Sequence, residues 1–328
     1  MPDQTGPFPR RGDRLTFSFP NDLGAEILRC AAESSAGELT PDRLSFVLKA
    51  YERAPRLTDP GRFTLTDCVT HRADAPIYPA SVVKLFHLYE LCGLEAEGRI
   101  VLTEEDRRAA KAMIGISSNE ATAYLVGRMS GAFDAPWLDP APLEDFVRAR
   151  RQVQDWFDAL ENPDLTGISV LHATYEDSPY GAARQIRDLT SGNRLTARAG
   201  AALLHDIVRG AVPGAQWMME LLDREEYRLA EAASGQPSEG GQRHGFLGEG
   251  FPDRVHTWSK GGHTSWTRHD LLYGEDGETG FILSVMTDSH WSSADTTFLP
   301  AVARLCHAAL PTSTRARAER AEHQGLQA

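Results

Sequence analysis

The sequence is short of lysine: its 34 basic residues include only four, Lys49, Lys84, Lys111 and Lys260, and the rest are arginine. Arginine cannot be deprotonated inside a protein, whereas a lysine can be tuned into a neutral amine that accepts a proton, so a lysine kept by an arginine-using chain is a candidate for chemistry. Cysteine is scarce too. Cys30, Cys68, Cys92 and Cys306 are scattered without a CxxC pair, which argues against a zinc site or disulfide framework and leaves reduced, buried thiols as the expectation. No apolar run approaches the roughly 18 residues of a spanning helix. The opening MPDQTGPFPRRGDRLTFSF lacks the apolar stretch of a secretory signal, so the expected compartment is the cytoplasm. A formal charge of −12 argues against nucleic acid or an anionic membrane as partner and leaves small molecules and cationic partners open.

With 41% hydrophobic and 24% charged residues in 328, the chain has the composition of an ordinary globular protein, built as one large domain or two lobes. Residues 1–21 and 313–328 read as frayed tails. Apolar spacing predicts a helix over 22–36, and LSFVLKAYE and RFTLTDCVT read as strands around a turn. Pro79 then stands near the first turn of a long helix ended by Gly98. Two helices flank the loop GISSNEA, another covers 141–161, and 162–194 reads as an extended loop over one face. Helices follow at 195–209 and 214–231, then the strands RVHTWSKG, TRHDLLY and GFILSVMT, and a closing helix DTTFLPAVARLCHAAL. Two early strands and three late ones predict one sheet assembled from both ends of the chain, with the middle as a helical lobe. The division expected is an α/β lobe from 22–78 and 205–312 and a helical lobe from 79–204.

Three short motifs carry chemistry. Ser81-Val82-Val83-Lys84 places a hydroxyl and an amine on one face of a helix start, where a lysine whose pKa is lowered by burial and a second cation can activate the serine as a nucleophile. Ser117-Ser118-Asn119, between two helices, offers a second hydroxyl to relay a proton to the leaving group and an amide to hold the substrate's acyl amide. Lys260-Gly261-Gly262 follows a strand; small residues at a sheet edge let a substrate lie alongside, and the lysine raises the local potential that helps keep Lys84 neutral. Each also has an ordinary reading: a solvated helix serine, a helix N-cap, a turn. Their joint occurrence, with two of the four lysines inside them, is what gives them weight.

In this order the motifs resemble the S-x-x-K, S-D-N and K-T-G set of the class A β-lactamases and penicillin-binding transpeptidases. The stretches IYPASVVKLFHLYEL and LTARAGAALLHDIV and the closing strands and helix look like that family too, so the resemblance covers roughly 22–312. It implies an α/β (α+β) fold of two lobes, an antiparallel sheet flanked by helices plus an all-helical lobe. It implies a serine acyl-enzyme on Ser81, formed from an amide or ester small molecule that is peptide-like or β-lactam-like, with no cofactor or metal. The implied oxyanion hole is the backbone N–H of Ser81 and of His263.

Three departures bear on substrate. Ser118 stands at the middle Asp of S-D-N, and Gly261 at a position where the family has a hydroxyl that helps hold a substrate carboxylate. Thr264 or Ser265 is then a substitute, and Arg268 is either a carboxylate partner or a solvated strand arginine. No E-x-x-L-N segment is present to supply a deacylating glutamate. Glu176, in HATYEDSPYG, is the nearest candidate and is equally readable as a surface carboxylate. Three functions stay open: a hydrolase or acyltransferase, a β-lactamase deacylated through Glu176, or a binding protein that has lost turnover. Among other residues, His87 reads as packing within the Ser81 helix, His256, His263 and His269 as pocket lining or a metal cluster, and Trp258 and Trp266 as pocket wall or core.

Overall fold

The computed structural model describes residues 19–20, 22–54, 64–176, 178–238 and 240–310. Its centre is an antiparallel sheet of five strands, β1 (Leu44–Arg53), β2 (Thr64–His71), β3 (His256–Thr264), β4 (Thr267–Asp276) and β5 (Thr279–Thr287), in the order β2-β1-β5-β4-β3. The early and late strands therefore meet at β1 and β5, where Val47 lies opposite Ser284. The sequence TGFILSVMT of β5 is almost continuously apolar because both of its faces are buried. Phe281, Leu283 and Val285 join one core; Ile282 and Met286 join another on the opposite face.

The first core is closed by α1 (Leu23–Ser34) and α11 (Phe298–Ala309), through Leu23, Ile27, Phe298 and Val302. Helices α2 (Val83–Ala96), α3 (Glu104–Gly115), α4 (Asn119–Ser130), α5 (Pro140–Asp158), α7 (Ala197–Val208) and α8 (Ala215–Leu222) build the second. Helix α7 lies directly on the sheet because its Ala/Gly face is thin: a Cβ added at Gly200 would stand 3.0 Å from the Ser284 hydroxyl. The remaining helices are α6 (Gly181–Leu189), α9 (Glu225–Ser234) and the short α10 (His290–Ala294). No helix among the described residues is long and apolar enough to cross a membrane.

The expected elements are present with three corrections. Helix α6 interrupts the stretch read as loop between 162 and 194; it is only nine residues long and its buried face, Ala182, Ala183, Gln185 and Ile186, holds a single large apolar side chain. The helix expected over 214–231 is two, because Asp223 leaves the helix to bridge Trp258 of β3 and the Arg224 side chain turns inward. Phe19 falls in the stretch read as a frayed tail, yet it is buried in the first core. Residues 1–18, 21 and 311–328, and the Arg62-Phe63 start of the second strand, lie outside the described residues.

Two contacts fix where the sheet meets the helices. The His269 ring, buried on β4, accepts from the Thr287 N–H at Nδ1 (2.9 Å) and donates from Nε2 to the Tyr78 carbonyl (2.7 Å), which ties the sheet to the segment before Ser81. Arg224, fully buried, donates to the Ser259 carbonyl on β3 and to the Ile114 and Gly115 carbonyls at the end of α3 (both 3.3 Å). Its removal would take the side-chain donor from the buried Ser259 carbonyl and leave the Ile114 and Gly115 carbonyls to Gln242 Nε2 alone. Arg224→Ala is expected to lower the unfolding free energy by about 3 kcal/mol or more, read by urea denaturation, whereas a surface arginine such as Arg148, paired only with Asp145, should cost under about 0.5 kcal/mol.

Candidate active site

Ser81 lies in a single 3-10 turn, Ala80–Val82, that runs into α2. The residue before it, Ala80, has φ +46, a left-handed conformation costly for a residue with a Cβ. Ser117 is held the same way, with φ +60, by the turn between α3 and α4. Two strained backbones thus present two hydroxyls to one space. A cleft of about 400 Å³ is lined by Ser81, Ser117 and Asn119 on one side, by Gly261 and His263 of β3, and by Gln242, Phe246 and their neighbours.

Edge strand β3 forms the wall beside Ser81. A Cβ at Gly262 would lie 2.8 Å from the Pro79 carbonyl oxygen and 3.1 Å from the Ser81 nitrogen, so only glycine lets the strand run this close. The Gly261 N–H points away from β4, donating to Gln242 Oε1 at 2.9 Å. By strand alternation the N–H of His263, two residues on, faces the same side, into the cleft beside Ser81.

The two site lysines sit beneath the cleft floor and share one hydroxyl. Lys84 Nζ lies 3.1 Å from Ser117 Oγ and donates to Asn119 Oδ1 at 2.7 Å and to the Ser117 carbonyl. Lys260 Nζ lies 3.0 Å from the same Oγ and donates to Gln242 Oε1 and its own strand's Gly261 carbonyl, each at 2.7 Å. Burial brings Lys84 down to about 7 against the pull of Glu176 and Glu120, which raise it. Lys260 is lowered strongly as well, by burial first and then by the charges of Lys84 and Arg224. Two buried amines this close to one oxygen oppose each other's protonation.

Asn119 carries the site one step further. Its Oδ1 also accepts from Thr174 Oγ1 (2.8 Å), and its Nδ2 donates to Glu176 Oε1 (3.1 Å), which brings the exposed Glu176 to the edge of the constellation. Arg268 lies elsewhere: half-buried, it donates to the Ser293 carbonyl and stacks on the Phe246 ring, which stands between it and the cleft. Thr264 accepts from the Trp266 N–H and Ser265 lies at the exposed hairpin turn, so neither hydroxyl lines the cleft. The three histidines diverge, His256 to Asp223, His263 to Ser293 and His269 to Tyr78. His87 is buried within α2, Trp258 stacks on His256, and Trp266 is exposed. Sequence reasoning missed Thr174, Gln242, Phe246 and Arg224; only Gln242 left a trace, in the turn-forming run Gly240-Gly241-Gln242.

No protein-family model and no curated protein sequence matches the chain. Solved structures do. PBP-A is similar with a TM-score of 0.56 at 16% identity, over 89% of this chain and 98% of that one. A β-lactamase from Sphaerobacter thermophilus aligns at 0.53 and 15% identity, over 87% and 97%. A class A β-lactamase described as the last common ancestor of Gram-negative bacteria aligns at 0.54 and 16% identity, over 88% and 99%. The chain has the class A β-lactamase fold. Likeness at this identity is likeness of fold, so within the class A-like scaffold the chemistry rests on the side chains described above.

The close approach of β3 to Ser81 can be tested directly. Gly262→Ala would push β3 off the Ser81 turn, and a displacement of about 1 Å at a reacting centre costs on the order of 100-fold. The expected outcome is that loss in the rate of Ser81 modification by a fluorophosphonate, with the thermal midpoint within a few degrees of wild type. A rate within twofold of wild type would show that the strand need not approach so closely.

Proposed function

We propose that the chain is a serine hydrolase that forms an acyl-enzyme on Ser81 from an amide or ester. The observation that carries this is the Ser117 hydroxyl held between Lys84 and Lys260 in the cleft that Ser81 lines. Lys84, brought down to about 7, is neutral in a large fraction of molecules at physiological pH and takes the proton from Ser81 as Oγ attacks the substrate carbonyl. The oxyanion is held by the N–H groups of Ser81 and His263. The carbon–nitrogen or carbon–oxygen bond then breaks, and the leaving group takes the proton from Lys84 by way of Ser117 Oγ.

Deacylation by water needs a second base, and the Asn119 to Glu176 hydrogen bond supports Glu176 in that role. Water attacks the acyl carbon as Glu176 takes its proton, the bond from that carbon to Ser81 Oγ breaks, and the proton is returned to Ser81 Oγ, which leaves the free acid and a regenerated Glu176 carboxylate. With a β-lactam as substrate this sequence is that of a β-lactamase, the second reading. If another nucleophile enters faster than water, the same intermediate makes an acyltransferase. A mutant form of PBP-A has been described as an acyl-enzyme complex with penicillin G, which makes that penicillin a sensible first probe.

Intact-mass spectrometry after mixing with penicillin G or p-nitrophenyl acetate is expected to show one acyl group on wild type and none on Ser81→Ala. Glu176→Gln should accumulate the adduct, its decay slowed about 10²- to 10⁴-fold. Decay unchanged in Glu176→Gln would remove this residue from the reaction, and an adduct that survives Ser81→Ala would remove Ser81.

The pH dependence has a defined sign. Protonated Lys84 cannot accept a proton, so acylation rises with pH through about 7. Because the negative charge of Glu176 raises Lys84, the Glu176→Gln rise should be displaced to lower pH. Stopped-flow acylation between about pH 5 and 9 measures both, and a displacement to higher pH would contradict the coupling.

A further inference from the structure

The cleft is poor in charge available to a ligand. Its Arg243 is paired with Glu231 at 3.1 Å, and His244 faces Glu249 at 3.4 Å. Lys260, buried beneath, has its three donors directed to Ser117, Gln242 and the Gly261 carbonyl. Lys84 and Arg224 likewise spend their donors on hydroxyl, amide and carbonyl oxygens, and the nearby cation left with a free donor is Arg268, which has no carboxylate partner among the described residues and whose Nε is buried without a hydrogen bond. Between it and the cleft stands Phe246. The ring lies 2.7 Å from where a Cβ on Gly261 would be, and the Arg268 guanidinium stacks 5.1 Å from its centroid on the far side. Side chain and glycine fit each other: any larger residue at 261 would displace the ring, and the ring covers both the strand and the cation.

Resting on the Ser81 acyl-enzyme reading, the geometry points to a neutral substrate: an ester or amide without a carboxylate, whose uncharged, apolar group lies against Phe246 and Gly261. A carboxylate there would lose its water against a phenyl ring and Pro237, another residue of the cleft wall, with every cation in that wall already paired. The formal charge of −12 and Glu176 at the other side of the site add repulsion. Phe246 is thus a specificity-determining residue, acting by what it covers.

The test compares two pairs of esters. In one, butyrate esters of 3-hydroxybenzoic acid and of its methyl ester place the charge on the leaving group; in the other, phenyl hydrogen succinate and phenyl methyl succinate place it on the acyl group. The kcat/KM of each is divided by its hydroxide-catalysed rate. The neutral member is expected to win by about tenfold or more in both pairs. Equal rates, or preference for the carboxylate in either pair, would overturn the assignment. Phe246→Ala should narrow the ratio at least about fivefold by uncovering Arg268, and Phe246→Ala with Arg268→Gln should restore it. If the ratio is unmoved in a folded Phe246→Ala, the ring is not the cause and the assignment fails; if that variant does not fold, the wild-type ratios decide. Intact mass separates the two layers. A Ser81 adduct together with carboxylate preference overturns only this inference, whereas turnover that persists in Ser81→Ala overturns the acyl-enzyme reading and this inference with it.

Discussion

The structure turns on one hydroxyl held between two buried amines. Ser117 Oγ is within 3.1 Å of Lys84 and 3.0 Å of Lys260, and the three residues come from a turn, a helix and an edge strand with no local reason to meet. Keeping two lysines out of water beside each other is costly, and the surroundings supply the compensation. Gln242 and the Gly261 carbonyl accept from one amine, Asn119 and the Ser117 carbonyl from the other. Arg224 fastens α3 to β3 just behind them. Burial lowers both amines, and Lys260 is lowered further by the charges of Lys84 and Arg224; a lowered amine is the property a proton-accepting lysine needs.

Much of this was legible in the sequence, unevenly. Strand β5 announced itself as an apolar run broken only by Ser284, and helix α2 by Pro79 and Gly98 just beyond its ends. Lysine scarcity drew attention to Lys84 and Lys260, both fully buried. Scarcity alone does not separate the two from the rest, however: Lys49 is buried too, its amine lowered by burial on β1 far from the motifs, while Lys111 is exposed. Retention of a lysine marks burial of an amine as readily as it marks catalysis.

What sequence could not supply were partners brought by the fold alone. Arg224 is one arginine among many until it is seen donating to three carbonyls, and Phe246 is an ordinary aromatic until it is found against Gly261. Glu176 stood as either base or surface carboxylate; its bond to Asn119 gives the first reading a physical path without removing its exposure. Helix α6 was lost because it is short and its buried face holds one large apolar side chain, Ile186.

The acyl-enzyme proposed on Ser81 depends most directly on the protonation of Lys84, and the shortage of lysine makes that measurable. With four lysines in the chain, Cε-labelled lysine gives four resonances to follow by NMR across pH, the Lys84 signal being the one lost in Lys84→Met. This signal is predicted to titrate near 7. Titration near 10.5, the ordinary value, would contradict the account and leave Ser81 without its base.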